Sequence, residues 1–129
     1  MSVPLSGTAR RLLDARSYVT LSTINPDGTP QASILWAKRD GDDVLMSTTS
    51  TRQKARNLGK DPHVSVTFYD PDNPFVYAEI RGEATVSEEG GRELIDELSV
   101  KYTGDPYPDE PEGTVRVVIR VTPERVVGR

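Results

Sequence analysis

The sequence contains no cysteine, a single histidine, His63, and no stretch that reaches the roughly 18 consecutive apolar residues of a membrane span. Without cysteine there is no disulfide, no thiolate nucleophile and no cysteine-held zinc, and one histidine is too few for a histidine-based triad or zinc cluster. His63 itself, next to Pro62, reads as a surface or strand-edge residue and is given no catalytic role. Met1 to Arg16 mixes charged and small residues where a signal peptide would need an apolar run, so the chain is expected to be soluble and cytoplasmic. Positive charge is also in deficit. Sixteen Lys and Arg stand against twenty Asp and Glu, a formal charge of -4, which argues against nucleic acid or an anionic membrane as partner. An anion could be held only by a local exception to that balance.

What is present is a globular composition, 35% hydrophobic and 28% charged, in 129 residues. That length supports one domain over residues 1–129 with one core and one site. Leu5, Ala9, Leu12 and Leu13 have helical spacing behind Ser6 or Thr8 as cap. The period then shortens to two. Tyr18 to Ile24 is predicted as a strand, Asn25-Pro26-Asp27-Gly28 as a turn, Gln31 to Lys38 as the returning strand, and Val44 to Ser47, after Asp40-Gly41-Asp42, as the third strand of a meander. His63 to Tyr69 and Phe75 to Val86 alternate cleanly, with Gly82 a candidate bulge. Ser87 is placed as the cap of a helix through Leu94, Ile95, Leu98 and Tyr102, and Thr114 to Val121, with a tail to Val127, as the last strand. Six strands with few helices leave fewest edges as a closed structure, so the predicted fold is mainly β, a six-stranded antiparallel barrel with peripheral helices.

The local exception in charge lies between Ser47 and Lys60, a segment without Asp or Glu. Five hydroxyl residues, Ser47 to Thr51, lead into Arg52-Gln53-Lys54-Ala55-Arg56-Asn57-Leu58. Ser50 and Gln53 have capping-box spacing, which puts Arg52 and Lys54 in the first turn of a helix from Thr51 to Leu58 that Gly59 and Asp61-Pro62 end. Cations are unfavourable at a helix start unless something anionic joins them. Hydroxyls, free amides and cations converging there suit a phosphate. The competing reading is a solvated basic face, since Arg and Lys are good helix formers.

The order of strand, hydroxyl run, basic helix, Asp61-Pro62 and alternating strand resembles the pyridoxamine 5'-phosphate oxidase-like split-barrel superfamily, and within it the deazaflavin-dependent branch. Leu21-Ser22-Thr23, Asp27-Gly28-Thr29-Pro30-Gln31 and Tyr77-Ala78-Glu79-Ile80-Arg81-Gly82-Glu83-Ala84 extend the likeness over nearly the whole chain. The resemblance implies a flavin-binding split β-barrel and a homodimer with cofactor sites at the interface. Arg52 and Lys54 would hold the cofactor phosphate, assisted by Ser47 and Thr48. Ser33, Ile34, Leu35 and Trp36 would line the ring system, with Tyr77 approaching from the partner. Trp36 reads equally as a core or dimer contact, and Tyr69 and Phe75 keep core readings. Loops such as Asp70 to Pro74 and Asp105 to Gly113 would shape a substrate pocket.

The activity so implied is hydride transfer from reduced coenzyme F420 to a small conjugated acceptor of enone, quinone or tetrapyrrole type, chemistry in which the cofactor supplies the electrons and the protein orients and excludes water. The same fold with FMN is the alternative. As a pyridoxamine 5'-phosphate oxidase proper the chain is a poor match, because Gly113 to Arg129 has no Trp and lacks the substrate-binding ending of those enzymes. A non-enzymatic flavin or haem carrier is the third reading. No metal site is expected.

Overall fold

The computed structural model describes residues 2–128. Helix α1 (Gly7–Asp14) opens the chain, followed by β1 (Val19–Ile24), β2 (Pro30–Leu35), β3 (Ala37–Asp40), β4 (Asp43–Thr49), α2 (Gln53–Leu58), β5 (His63–Asp70), β6 (Asn73–Ser87), α3 (Gly91–Thr103) and β7 (Arg116–Gly128). The sheet is antiparallel throughout, in the order β2-β1-β5-β6-β7-β4-β3.

Seven strands appear where six were expected, and the difference lies at one residue. The predicted strand from Gln31 to Lys38 is broken at Trp36. Its first half pairs with β1, Leu35 opposite Val19, and its second half with β4, Ala37 opposite Met46. The apolar run Ile34-Leu35-Trp36-Ala37 spans the break, so local pattern alone cannot see that the two halves have different partners. Strands β2 and β3 stand at opposite edges of the order yet are joined by Trp36 alone, and the sheet must therefore curl until its edges meet. That curl makes the barrel.

Inside it lies the main core. Val19 and Leu21 of β1, Val64, Val66 and Phe68 of β5, Ala78, Ile80 and Ala84 of β6, and Ile119 and Val121 of β7 meet Ala9, Leu12 and Leu13 of α1. A second, smaller cluster sits on the other face, where Leu94 and Leu98 of α3 cover Leu45 of β4 together with Trp36, Tyr102 and Val118. Burial on both faces of β4 explains why five consecutive residues, Val44 to Thr48, are buried.

Helix starts depart from expectation in two places and agree in one. Ser6 caps α1, its hydroxyl accepting from the Ala9 amide at 3.1 Å. Ser50, in contrast, does not cap α2. Gln53 reaches forward, its amide donating to Asn57 at 2.7 Å and its carbonyl accepting from Arg56 at 2.6 Å, so the backward arm of a capping box is missing. The helix begins two residues later than predicted, with Arg52 at the N-cap and extended. Ser87 likewise caps a turn at Glu89 and leaves the N-cap of α3 to Gly90 at φ 78°, a left-handed conformation that a side chain would strain.

Gly82 does mark a bulge. The β6 to β7 register shifts between Arg81 and Gly82, and a Cβ there would overlap the Thr122 carbonyl oxygen. No helix among the described residues is long and apolar enough to cross a membrane.

The joint at Trp36 is pinned from α3. The Tyr102 hydroxyl donates to the Ser17 carbonyl at 2.6 Å and accepts from the Ala37 amide at 3.1 Å, while its ring stacks on Trp36 with centroids 5.3 Å apart. Lys101 Nζ donates to the carbonyls of Leu13 and Ala37, both at 2.6 Å, closing the C-terminal end of α1. Burial pushes the pKa of Lys101 down to about 8. Replacing Tyr102 by Phe keeps the stacking and leaves the Ala37 amide and Ser17 carbonyl without that partner, and a loss of about 1–3 kcal/mol is expected in denaturant unfolding. Gly82→Ala should cost at least as much, because backbone rather than a flexible side chain must give way.

Candidate functional site

A cavity of about 500 Å³ opens beside the joint. Its apolar wall consists of Tyr18, Ile34, Leu35 and Trp36 from the β1 and β2 side, with Ile95 and Leu98 of α3. Its polar wall consists of Ser47, Thr48 and Thr49 at the end of β4, Arg52 and Lys54 at the start of α2, and Arg116 at the start of β7, with Tyr107 from the connection between α3 and β7. The volume falls in the usual range for small-molecule sites, and the division into an apolar slot and one polar end suits a ligand with a flat ring and a charged tail.

Of the nine residues singled out from the sequence, seven line this cavity: Ile34, Leu35, Trp36, Ser47, Thr48, Arg52 and Lys54. Two lie outside it. Ser33 accepts a hydrogen bond from the Gln31 amide at 3.0 Å, and Tyr77 pairs with Tyr69 on the exposed side of the β5 to β6 ladder. Trp36 is stacked on Tyr102 and also lines the cavity. Of the two loops expected to shape the pocket, residues 105–113 contribute Tyr107, whereas residues 70–74 contribute nothing to the lining. His63 lies outside this lining, exposed and 2.7 Å from Asp61, whose carboxylate raises its pKa.

The electrostatics centre on Lys54. It is only 5% exposed, and among the described residues no carboxylate lies within ion-pair distance of it or of Arg52. Burial lowers its pKa, and the Arg52 cation lowers it further. Because α2 has six residues, its dipole is short, and the positive character of this corner comes from side chains more than from the helix end.

What holds two cations together there is a buried polar network on the far side of α2. Asn57 is 1% exposed and donates to Thr23 Oγ1 at 2.9 Å and to Asn25 Oδ1 at 3.0 Å while accepting from Gln53. Thr23 in turn donates to Gln31 at 3.0 Å. The helix is thereby bolted to the β1 to β2 hairpin, and with Leu58 in the main core it cannot swing Lys54 out to water without breaking those bonds.

Sequence reasoning missed Arg116, Tyr107, Tyr18 and Thr49 as lining residues. Thr49 belonged to the hydroxyl run already noted, but Arg116 is separated from Arg52 by 64 positions and meets the site only through the β4 to β7 ladder, in which it lies opposite Thr49. Only the strand order reveals that.

Comparison with known proteins bears on what the cavity takes. The family model described as Pyridoxamine 5'-phosphate oxidase matches residues 5–128. A solved structure named an F420 reductase is 33% identical, with a TM-score of 0.85 over 98% of this chain and 100% of that one. A conserved hypothetical protein from Mycobacterium tuberculosis, Rv2991, is 28% identical with a TM-score of 0.75, covering 97% of this chain and 84% of its own. An FMN-binding protein from Nostoc punctiforme, 18% identical with a TM-score of 0.64 over 92% of this chain and 77% of its own, shares the fold. No curated protein matches the sequence. With its curled antiparallel sheet, its three helices and a family match that runs almost end to end, the chain belongs to the pyridoxamine 5'-phosphate oxidase-like split-barrel family.

Proposed function

We propose that this protein is an oxidoreductase that holds a flavin-type cofactor in the cavity beside Trp36, that the cofactor is the deazaflavin F420, and that hydride passes from it to a small conjugated acceptor. One observation carries the cofactor assignment: Lys54 is buried beside Arg52 with no carboxylate partner. A cation on so buried a side chain, beside a guanidinium and without an ionic partner, is unfavourable in the empty protein and is relieved when an anion enters. A phosphate or phosphodiester meets that need, and Ser47 and Thr48 add hydroxyl donors. The family match supports a flavin-type ring, and the 33% identity to a protein named an F420 reductase favours the deazaflavin over FMN.

When bound, the cofactor would supply the hydride. The chain's own part is to orient and to exclude water. Arg52 and Lys54 would fix the anionic end, and the apolar slot of Ile34, Leu35 and Trp36 would hold the ring flat. Neither task needs a histidine or cysteine.

Dimerisation is part of the proposal. Ile34 is 71% and Tyr18 61% exposed although both line the cavity, and Tyr69 and Phe75 are exposed on the same β-rich side. A second copy covering this aromatic surface would close the open flank of the cavity, and the exposed Tyr77 would approach a partner's ring from there.

Equilibrium titration with F420 and with FMN, followed by fluorescence, tests the cofactor. F420 should bind, and the double variant Arg52→Ala, Lys54→Ala should weaken it by about 2–5 kcal/mol. Retention of FMN with no response to F420 would transfer the proposal to FMN, and turnover of reduced F420 with a panel of conjugated acceptors separates an enzyme from a carrier.

Lys54→Met gives a second test, on stability. Since the pKa of Lys54 is lower in the folded chain than its ordinary value of 10.5, the folded state disfavours the charged form. The unfolded chain binds that proton more tightly, so the penalty is fully present below the folded pKa and fades as pH rises through it. Lys54→Met should therefore raise the melting temperature of the cofactor-free protein at pH 7, with the gain shrinking toward pH 10, while lowering cofactor affinity. A fall in melting temperature at both pH values would contradict the assignment of Lys54 as a binding cation.

A further inference from the structure

The third cation of the cavity differs from the other two in already having a partner. Arg116 Nε lies 2.9 and 3.0 Å from the two carboxylate oxygens of Glu110, its Nη2 donates to the Tyr107 hydroxyl at 3.2 Å, and its Nη1 reaches the Ser47 hydroxyl at 3.4 Å. Both members of the ion pair are largely buried, with side chains 15% and 14% exposed. The guanidinium thus faces two ways: toward a carboxylate on the connection between α3 and β7, and toward a hydroxyl residue of the polar wall where Arg52 and Lys54 wait unpaired.

The backbone fixes this arrangement. Gly91 has no Cβ because one would overlap the Arg116 carbonyl, so α3 starts pressed against the first residue of β7. From the next position Arg92 gathers the connection, donating to the Tyr107 carbonyl at 2.6 Å, the Pro108 carbonyl at 3.2 Å, and Asp96 and Glu110 at 3.1–3.2 Å. The Tyr107 ring lies between the two guanidiniums, 4.9 Å from that of Arg116 and 5.8 Å from that of Arg92. Glu110 therefore has two arginines, only one of which lines the cavity.

We infer that Arg116 is a further binding residue for the anionic end of the ligand, and that Glu110 is a built-in competitor that holds Arg116 until an anion of sufficient charge takes it. This rests on the reading of the cavity as an anion-bearing cofactor site. Arg92 makes the exchange feasible, since Glu110 keeps a cationic partner when Arg116 turns away, and no carboxylate is left buried alone. An uncharged ligand end would leave Arg116 with Glu110. A phosphodiester or a phosphate, with negative charge on free acceptor oxygens, would draw the third cation from Glu110. Glu110 thereby selects for ligand charge from a position outside the lining.

Opposite signs in two variants test this. Trp36 is the only tryptophan and lines the cavity, so its fluorescence reports binding of pyrophosphate, a probe with no ring. Glu110→Gln removes the competitor and should tighten pyrophosphate about fivefold or more, whereas Arg116→Met should weaken it about tenfold or more. Arg116→Lys, which keeps the cation without the planar fork, should fall between Arg116→Met and wild type and guards against misfolding of the Met variant. A purely structural ion pair predicts something else: both variants lower the melting temperature together and leave pyrophosphate affinity unchanged, a result that would overturn the inference, as would weakening by Glu110→Gln. If pyrophosphate behaves as expected while neither F420 nor FMN binds the wild-type protein, the cofactor proposal fails and the role of Arg116 stands.

Discussion

A single strand that must pair with both edges of the same sheet is the constraint on which this molecule is built. Leu35 belongs to one edge and Ala37 to the other, with only Trp36 between them. Two residue steps span at most about 7 Å, so the two edges are brought close together and the sheet curls. The hydrogen bonds that either half would lose by slipping are reinforced by Tyr102, whose hydroxyl ties the Ala37 amide to the Ser17 carbonyl, and by Lys101, which satisfies the Ala37 carbonyl. The cavity follows from the same break. Where β2 and β3 part company they cannot cover both sides of the opening, and the ring of Trp36, stacked on Tyr102, becomes part of its wall.

The second dependence runs from packing to charge. Holding Lys54 buried beside Arg52 is unfavourable by itself, and the protein offsets that cost with bonds that do not involve the cations. Asn57 has its side-chain amide and carbonyl both engaged, Leu58 is in the core, and α2 is joined through Thr23 and Gln31 to the hairpin that also supplies Ile34 and Leu35 to the cavity. The polar and the apolar walls are in this way one rigid unit. A ligand that touches both would meet preformed geometry and lose little affinity to ordering.

Much of this was legible in the sequence, and the rest was hidden for identifiable reasons. Strands β1, β5, β6 and β7 show themselves by alternation because each has one buried face, and Gly82 by its place in such a run. The basic segment stood out because an acidic chain has no reason to omit Asp and Glu between Ser47 and Lys60. Failures came where a local rule competed with a tertiary one. Ser50 and Gln53 have the spacing of a capping box, yet Gln53 is taken by Asn57 and Arg56, and Ser50 donates its amide to the carbonyl of Val115, just before the adjoining strand. Ser87 lost its role to Gly90, whose left-handed backbone starts α3, while Gly91, where a Cβ would overlap the Arg116 carbonyl, lets the helix press against β7. Trp36 as a strand break, and Arg116 as a neighbour of Arg52, depend on which strands pair, and no window of local sequence carries that information.

The net charge of -4 opposes an anion site at long range, and magnitudes decide the matter. At physiological ionic strength the Debye length is about 8 Å, so carboxylates spread over the far surface are largely screened at the cavity. Of the cations at its wall, Lys54 is 5% exposed and acts at contact distance where the effective dielectric is lower than in water and a charge contact is worth correspondingly more, while the exposed Arg52 adds to it. The near field therefore outweighs the far field at the cavity. Under the proposed function, a small phosphorylated ligand, compact enough to feel only the cavity, would be admitted on those terms.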